Sequence, residues 1–215
     1  MLRFLRRFRS QTPNLVVAHR SLEETQNYWR HPDHDNQASA YLSGMERSQY
    51  LASLIRAHTG PNASILEIGC NVGRNLDHLR ETGFQRLAGI EINADAIRLM
   101  RQSYPALTSR LTIYGDAVES VLPGLPDSAY DTVFTMAVLE HIHTDSEWIF
   151  SEIVRICERR LITVEDETGQ SWRHFPRNYR YVFEGLGMKQ VAEDACGGKV
   201  VGLYGAFKAR VFART

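Results

Sequence analysis

A chain of 215 residues, 43% of them hydrophobic, can bury one well-packed core and is too short for two full domains. Its 25 basic and 25 acidic side chains cancel, so no surplus positive field marks nucleic acid as a partner, and a small-molecule or peptide substrate fits better. Three cysteines, Cys70, Cys157 and Cys196, form an odd set without CxxC or Cys/His ligand spacing; this speaks against a disulfide framework and a metal site, and for a reducing, cytoplasmic compartment.

Residues 1–10 are the one biased segment, with four arginines, and no acidic residue precedes Glu23. They read as a solvated extension or, if helical with Leu2, Leu5 and Phe8 gathered, as a mitochondrial presequence or weak surface anchor. No apolar run is long enough to span a bilayer. After an irregular His/Asp/Asn-rich stretch, residues 39–59 predict a helix with Leu51, Leu54 and Ile55 on one face, stopped by Gly60-Pro61. The expected division is an N-terminal extension and helical cap over 1–60, then the main domain over 61–215.

Alternation of strand and helix follows. A strand over 64–70 leads to a helix over 73–82 with Leu76 and Leu79 inward, then a strand over 86–92 and a helix over 94–104. A third strand covers 111–115. Residues 130–139 are nearly continuously apolar, as a central parallel strand requires. Thr144-Asp145-Ser146 offers caps for a helix through Glu158, followed by a strand from Arg160 to Val164 and by a loop and helix that together span about 171–186. Strands at 188–193 and 200–212 should pair as an antiparallel edge hairpin. The whole predicts an α/β fold: a doubly wound, seven-stranded, mostly parallel sheet with one reversed strand.

In such a sheet the ligand sits beyond the carboxyl ends of the strands. The first exit loop reads Glu67-Ile68-Gly69-Cys70-Asn71-Val72-Gly73. A dinucleotide GxGxxG counted from Gly69 needs glycines at 71 and 74, where this chain has Asn71 and Arg74. Gly69 and Gly73 could serve a tight turn alone, but Glu67 on an apolar strand needs a partner. Glu91 follows the loop by about 20 residues, where a carboxylate accepts ribose hydroxyls, or it is an ordinary strand-end charge. Asp116, in Gly115-Asp116-Ala117, reads as a ligand contact or as a turn residue.

Taken in order, these elements resemble motif I and its successors in class I S-adenosylmethionine-dependent methyltransferases. Residues 131–142, Asp-Thr-Val-Phe-Thr-Met-Ala-Val-Leu-Glu-His-Ile, resemble the post-strand-four motif of small-molecule O-methyltransferases of the ubiquinone-pathway type. The resemblance covers residues 64–142 and implies S-adenosylmethionine as cofactor. It implies contacts from Glu67, Gly69, Cys70, Asn71 and Gly73 in the loop, from Glu91 and Ile92 at the ribose, from Asp116 and Ala117 at the adenine, and from Met136. In related enzymes an arginine of the helical cap meets the cofactor carboxylate, and Arg47 is the candidate here.

His141 follows strand four, where the resemblance places an active-site histidine, and its ordinary pKa suits a base near neutrality. A structural histidine is the alternative, and His143 is expected to face solvent. Residues 171–180 pack three arginines, a histidine and three aromatics together, so Arg173, His174, Arg177 and Tyr179, with Trp29 of the cap and His141, form the expected acceptor site for a planar or aromatic acid. The competing reading pairs these arginines with Glu165, Asp166 and Glu167 or leaves them in solvent.

The expected activity is O-methylation of a hydroxyl or carboxylate on a small molecule, with a homodimer left open as the assembly. Methylation of small amines, a non-catalytic cofactor-binding protein and an oxidoreductase are the alternatives. Thr135-Met136-Ala137-Val138 stands where nucleic-acid amino-methyltransferases carry Asn/Asp-Pro-Pro-Tyr, which argues against that class.

Overall fold

The computed structural model describes residue 18 and residues 20–214; the arginine-rich segment read as an extension, presequence or anchor lies outside them. The first helix, α1 (Leu22–Arg30), begins at a capping box. Ser21 Oγ accepts from the Glu24 amide at 3.2 Å, and Glu24 Oε2 accepts from the Ser21 amide at 2.9 Å. The sequence carries this Ser-x-x-Glu signal, yet no helix is predicted there. The helix expected over 39–59 is instead a 3₁₀ turn, Ala38–Leu42, followed by α2 (Met45–His58). Gly44, at φ +89°, breaks the two apart.

The remaining elements are β1 (Ser64–Ile68), α3 (Arg74–Glu81), β2 (Arg86–Ile90), α4 (Ala94–Ser103), α5 (Pro105–Thr108), β3 (Thr112–Tyr114), α6 (Val118–Val121), β4 (Tyr130–Met136), α7 (Ile149–Ile156), β5 (Cys157–Asp166), α8 (Tyr179–Gly185), β6 (Met188–Asp194) and β7 (Phe207–Arg214). The seven strands form one sheet in the order β3-β2-β1-β4-β5-β7-β6. Only β7 is reversed, antiparallel to both β5 and β6. The expected terminal hairpin therefore pairs as predicted, but β7 inserts beside β5 and leaves β6 at the edge. Residues 195–206 join β6 to β7, a connection longer than the Gly-Gly turn expected there.

Two other boundaries move for local reasons. α7 stops at Ile156, so Cys157 and Glu158 belong to β5. α8 starts at Tyr179 because Asn178 Oδ1 accepts from the Arg180 amide at 3.1 Å and caps it; residues 171–178 are loop.

Alternate residues of the central strands face opposite layers. Ile65, Phe134, Ile162 and Val211 pack with Leu51 and Ile55 of α2 and Leu76 of α3. Leu66, Val133, Leu161 and Phe212 pack with Ile149 and Ile153 of α7 and Phe183 of α8. Each such side chain, fully removed from water, contributes roughly 1.5–3 kcal/mol of transfer free energy. All three cysteines are free and buried, and no helix among the described residues is long and apolar enough to cross a membrane. The chain passes to one side of β1 through β2 and β3, then crosses to β4 on the other. The crevice at this reversal, outside the ends of β1 and β4, is where a doubly wound sheet binds its ligand.

Candidate active site

A cavity of about 530 Å³ opens at that crevice. The loop after β1 forms its floor. Gly69 sits at φ +71°, and a Cβ there would overlap the Val138 side chain, so conformation and space both demand glycine. The Gly69 and Cys70 amides donate to the Ile90 carbonyl at 2.8 and 3.0 Å, which ties the loop to the end of β2. Gly73, at φ +74°, turns the chain into α3 but does not line the cavity.

Glu91 braces the same loop. Its Oε2 accepts from the Asn71 amide at 2.7 Å and its Oε1 from the Asn93 amide at 2.8 Å. Burial raises the Glu91 pKa above the usual carboxylate range, opposed by these amides. Each oxygen keeps a second lone pair for a ligand hydroxyl. Ile92, Ala117 and Met136 add wall, and Asp116 stands at the mouth with its Oδ1 accepting from the Ala117 amide at 2.7 Å.

Glu67 is buried at the end of β1. Its Oε1 accepts from Asn75 Nδ2 at 2.7 Å, Asn75 Oδ1 accepts from Ser48 Oγ at 2.7 Å, and Ser48 Oγ accepts from Arg74 Nε at 2.8 Å. This chain of bonds fastens α2 of the cap to α3 and β1. Burial pushes the Glu67 carboxyl up to about 8. Around this end of the cavity Glu67 Oε2, Asn71 Oδ1 and Arg47 Nε are buried without protein partners. Buried polar atoms without partners are costly. An acid, an amide oxygen and a guanidinium at one end fit the ammonium and carboxylate of an amino-acid moiety, so the residues present suit S-adenosylmethionine.

The opposite end is built by the post-β4 loop, α1 and the loop after β5. Trp29 packs on His141 with ring centroids 4.5 Å apart, and His141 packs on His174 at 4.7 Å. The Arg173 guanidinium lies 5.6 Å from the Tyr28 ring and 5.8 Å from the Trp29 ring. His141 Nδ1 is 3.0 Å from the Arg173 carbonyl, which makes Nδ1 the protonated nitrogen and Nε2 the bare one. Burial lowers the His141 ring to about 3, so it is neutral at working pH. Glu140 Oε1 stands 3.6 Å from His141 Nε2 and 3.7 Å from His174 Nε2.

The post-β4 loop is held from β5. Glu165 Oε2 accepts the Val138 and Leu139 amides at 2.9 and 3.0 Å, and Glu140 Oε2 accepts the Asp166 amide at 2.5 Å. Burial pushes both carboxyls up, and the negative charge of Glu165 adds to the effect on Glu140.

Three expected positions fall elsewhere. Tyr179 is fully buried between Phe150 and Phe183, with centroids 6.3 Å away in each case, so it belongs to the core. Arg177 Nε donates to Glu147 Oε1 at 2.9 Å, outside the cavity lining. His143, expected in solvent, is buried: its Nδ1 accepts from the Asp145 amide at 3.1 Å and its Nε2 lies 3.1 Å from the Arg20 carbonyl. The competing pairing of loop arginines with Glu165, Asp166 and Glu167 fails too, because Arg210 takes Glu167, Nε to Oε1 at 2.6 Å. Residues not anticipated include Tyr41, Asn75, Glu140 and, from the loop before β7, Leu203. Glu140 was legible beside His141; the others arrive only through folding.

Residues 66–160 match the family described as a methyltransferase domain. Over 55 residues the chain is 36% identical to dTDP-3-amino-3,6-dideoxy-alpha-D-glucopyranose N,N-dimethyltransferase of Streptomyces fradiae, covering 26% of this chain and 21% of that protein. Over 132 residues it is 28% identical to an O-methyltransferase of Pyrenophora dematioidea, covering 60% of this chain and 47% of that protein. The chain thus spans less than half the length of these two relatives. The structure of Burkholderia thailandensis 1,6-didemethyltoxoflavin-N1-methyltransferase, with 1,6-didemethyltoxoflavin and S-adenosylhomocysteine bound, superposes with a TM-score of 0.71 at 14% identity, over 93% of this chain and 92% of that chain. At that identity the likeness speaks for the fold. The matched segment runs from β1 into β5 and carries the glycine loop, Glu91, Asp116 and His141. With its seven-stranded topology, the chain has a Rossmann-like fold whose residues 66–160 form a methyltransferase domain.

Proposed function

We propose that this chain methylates an oxygen, hydroxyl or carboxylate, of a small molecule. The observation that carries the reading is one continuous cavity with two chemically distinct ends: unpartnered polar atoms of Glu67, Asn71 and Arg47 at one, and Trp29, His141 and Arg173 at the other. S-adenosylmethionine, when bound, supplies a methyl group already activated on a sulfonium. The residues of this chain then orient and enclose. Glu67 and Arg47 hold the amino-acid end, Glu91 the ribose and Asp116 the adenine edge, while Gly69 lets the backbone approach. Trp29 walls the acceptor side and excludes water. The Arg173 guanidinium, whose Nε is buried without a partner, meets an anionic or planar acceptor.

His141 lines the acceptor end of the cavity and orients the acceptor oxygen. Its buried ring is a weak base, so alignment of acceptor and methyl group carries most of the rate, which a carboxylate acceptor would need in any case. Both oxygen and nitrogen chemistry occur among the similar proteins, so the atom is decided by assay. Incubating the full chain with S-adenosylmethionine and a panel of aromatic acids, phenols and amines, with mass-spectrometric detection, should yield methyl esters or ethers. Methylated amines alone would replace this reading with N-methylation, and Arg173→Ala should raise KM for anionic acceptors by about tenfold or more.

A further inference from the structure

Glu140, His141 and His174 are drawn from two loops and meet at the acceptor end of the cavity, which all three line. The ligand-type atoms they offer lie within 4.8 Å of one another. Glu140 Oε1 is 3.6 Å from His141 Nε2 and 3.7 Å from His174 Nε2, too far for a hydrogen bond to either. These are the separations of ligands around a missing centre: protein ligands at about 2.1 Å in a tetrahedral site stand roughly 3.4 Å apart.

The surroundings are those of a ligand set. His141 gives Nδ1–H to the Arg173 carbonyl at 3.0 Å, which directs its Nε2 lone pair at the convergence point. His174 Nδ1 is 2.5 Å from Ser171 Oγ, and the second Glu140 oxygen accepts the Asp166 amide at 2.5 Å. Every ligand is therefore oriented through its other polar atom. Glu165 and Asp166 add negative charge at Glu140, which offsets the nearby Arg173 guanidinium. The cysteine pattern speaks against a metal site, and the set here is not written in local spacing, because His174 reaches the Glu140–His141 pair from a separate loop.

We infer that Glu140, His141 and His174 form a site for a divalent transition cation, bound by two imidazoles and one carboxylate, with its remaining coordination position open to the cavity. This donor set suits Zn²⁺ and its first-row neighbours rather than Mg²⁺ or Ca²⁺. The open position is where an acceptor oxygen would become a ligand, so the inference deepens and rests on the reading of this cavity as an oxygen-methylating site. It also changes the part played by His141, from a weak base to a ligand that acts on the acceptor proton through the cation.

The test uses the full chain, stripped with a chelator and titrated with Zn²⁺ by calorimetry, and with Co²⁺ to read the visible ligand-field spectrum. One equivalent should bind to the wild-type chain. His174→Ala and Glu140→Gln should each weaken that binding by at least about tenfold, following the loss expected when a metal ligand or its support is removed, while exposed His31→Ala should not. A titration with S-adenosylmethionine on the same samples reports folding and separates the two ideas. A chain that binds S-adenosylmethionine but no Zn²⁺, or binds Zn²⁺ equally in all variants, overturns the cation site and leaves the methyltransferase reading intact. A chain that binds Zn²⁺ through these ligands but not S-adenosylmethionine keeps the site and overturns the reading on which its role rests.

Discussion

At the residue scale the site is governed by buried groups whose needs the protein alone does not meet. Glu67 keeps its proton in the folded chain up to about pH 8, against 4.5 when exposed. Below pH 4.5 both states are protonated and the folded state benefits in full; as pH rises through the folded value, that contribution is lost. Wild-type chain without cofactor should lose roughly 2–5 kcal/mol relative to Glu67→Gln across this window. Denaturant unfolding of both proteins near pH 5 and near pH 8 checks this, and parallel stability profiles would contradict it. Gly69 offers a second test. Alanine there meets a left-handed backbone and the Val138 side chain, a strain of about 1–2 kcal/mol before any overlap. Gly69→Ala should weaken S-adenosylmethionine binding by about tenfold or more in calorimetry. Unchanged affinity would remove the loop from the cofactor site.

These residues were legible because their chemistry is local. The first loop, Glu91 and Asp116 each follow a strand in order, so spacing along the chain reports spacing around the crevice. Ser48, Asn75 and Arg74 were not, since their bonded chain joins α2 to α3. Arg177 and Tyr179 misled for the opposite reason: an arginine-aromatic cluster looks like a site, but Asn178 starts a helix that carries Tyr179 into the core.

At the scale of elements, α1 and the post-β4 loop build the end of the cavity proposed for the acceptor. α1 brings Trp29 onto His141 and is anchored at its start by the Ser21–Glu24 box. Ser21→Ala should cost about 1 kcal/mol at this helix end. If α1 covers the acceptor, that loss appears as a KM for acceptor raised by about fivefold, with affinity for S-adenosylmethionine little changed. Steady-state kinetics with calorimetry on the same variant distinguish this from general destabilisation, which would weaken binding of both acceptor and S-adenosylmethionine. The break at Gly44 shows why the cap was only half legible: hydrophobic spacing predicted one helix, while the left-handed glycine separates a cavity-lining turn from α2.

At the scale of the whole molecule, alternation of apolar runs and helical periods gave the sheet and its reversed strand, because each β-α unit is written in contiguous residues. The insertion of β7 between β5 and β6 was not written locally; the crossover through α8 sets β6 one position beyond β5, and β7 returns into the gap, where Phe212 and Val211 complete the two layers. The reversal of strand order between β1 and β4 puts the glycine loop, Glu91 and His141 around one crevice, the place proposed here for S-adenosylmethionine. Calorimetric titration of the purified chain with S-adenosylmethionine and with NAD, beside Glu91→Ala, tests it most directly. The wild-type chain should bind one equivalent of S-adenosylmethionine, Glu91→Ala should bind it about tenfold or more weakly, and neither should bind NAD comparably. Tighter binding of NAD, or equal S-adenosylmethionine affinity in both proteins, would contradict it.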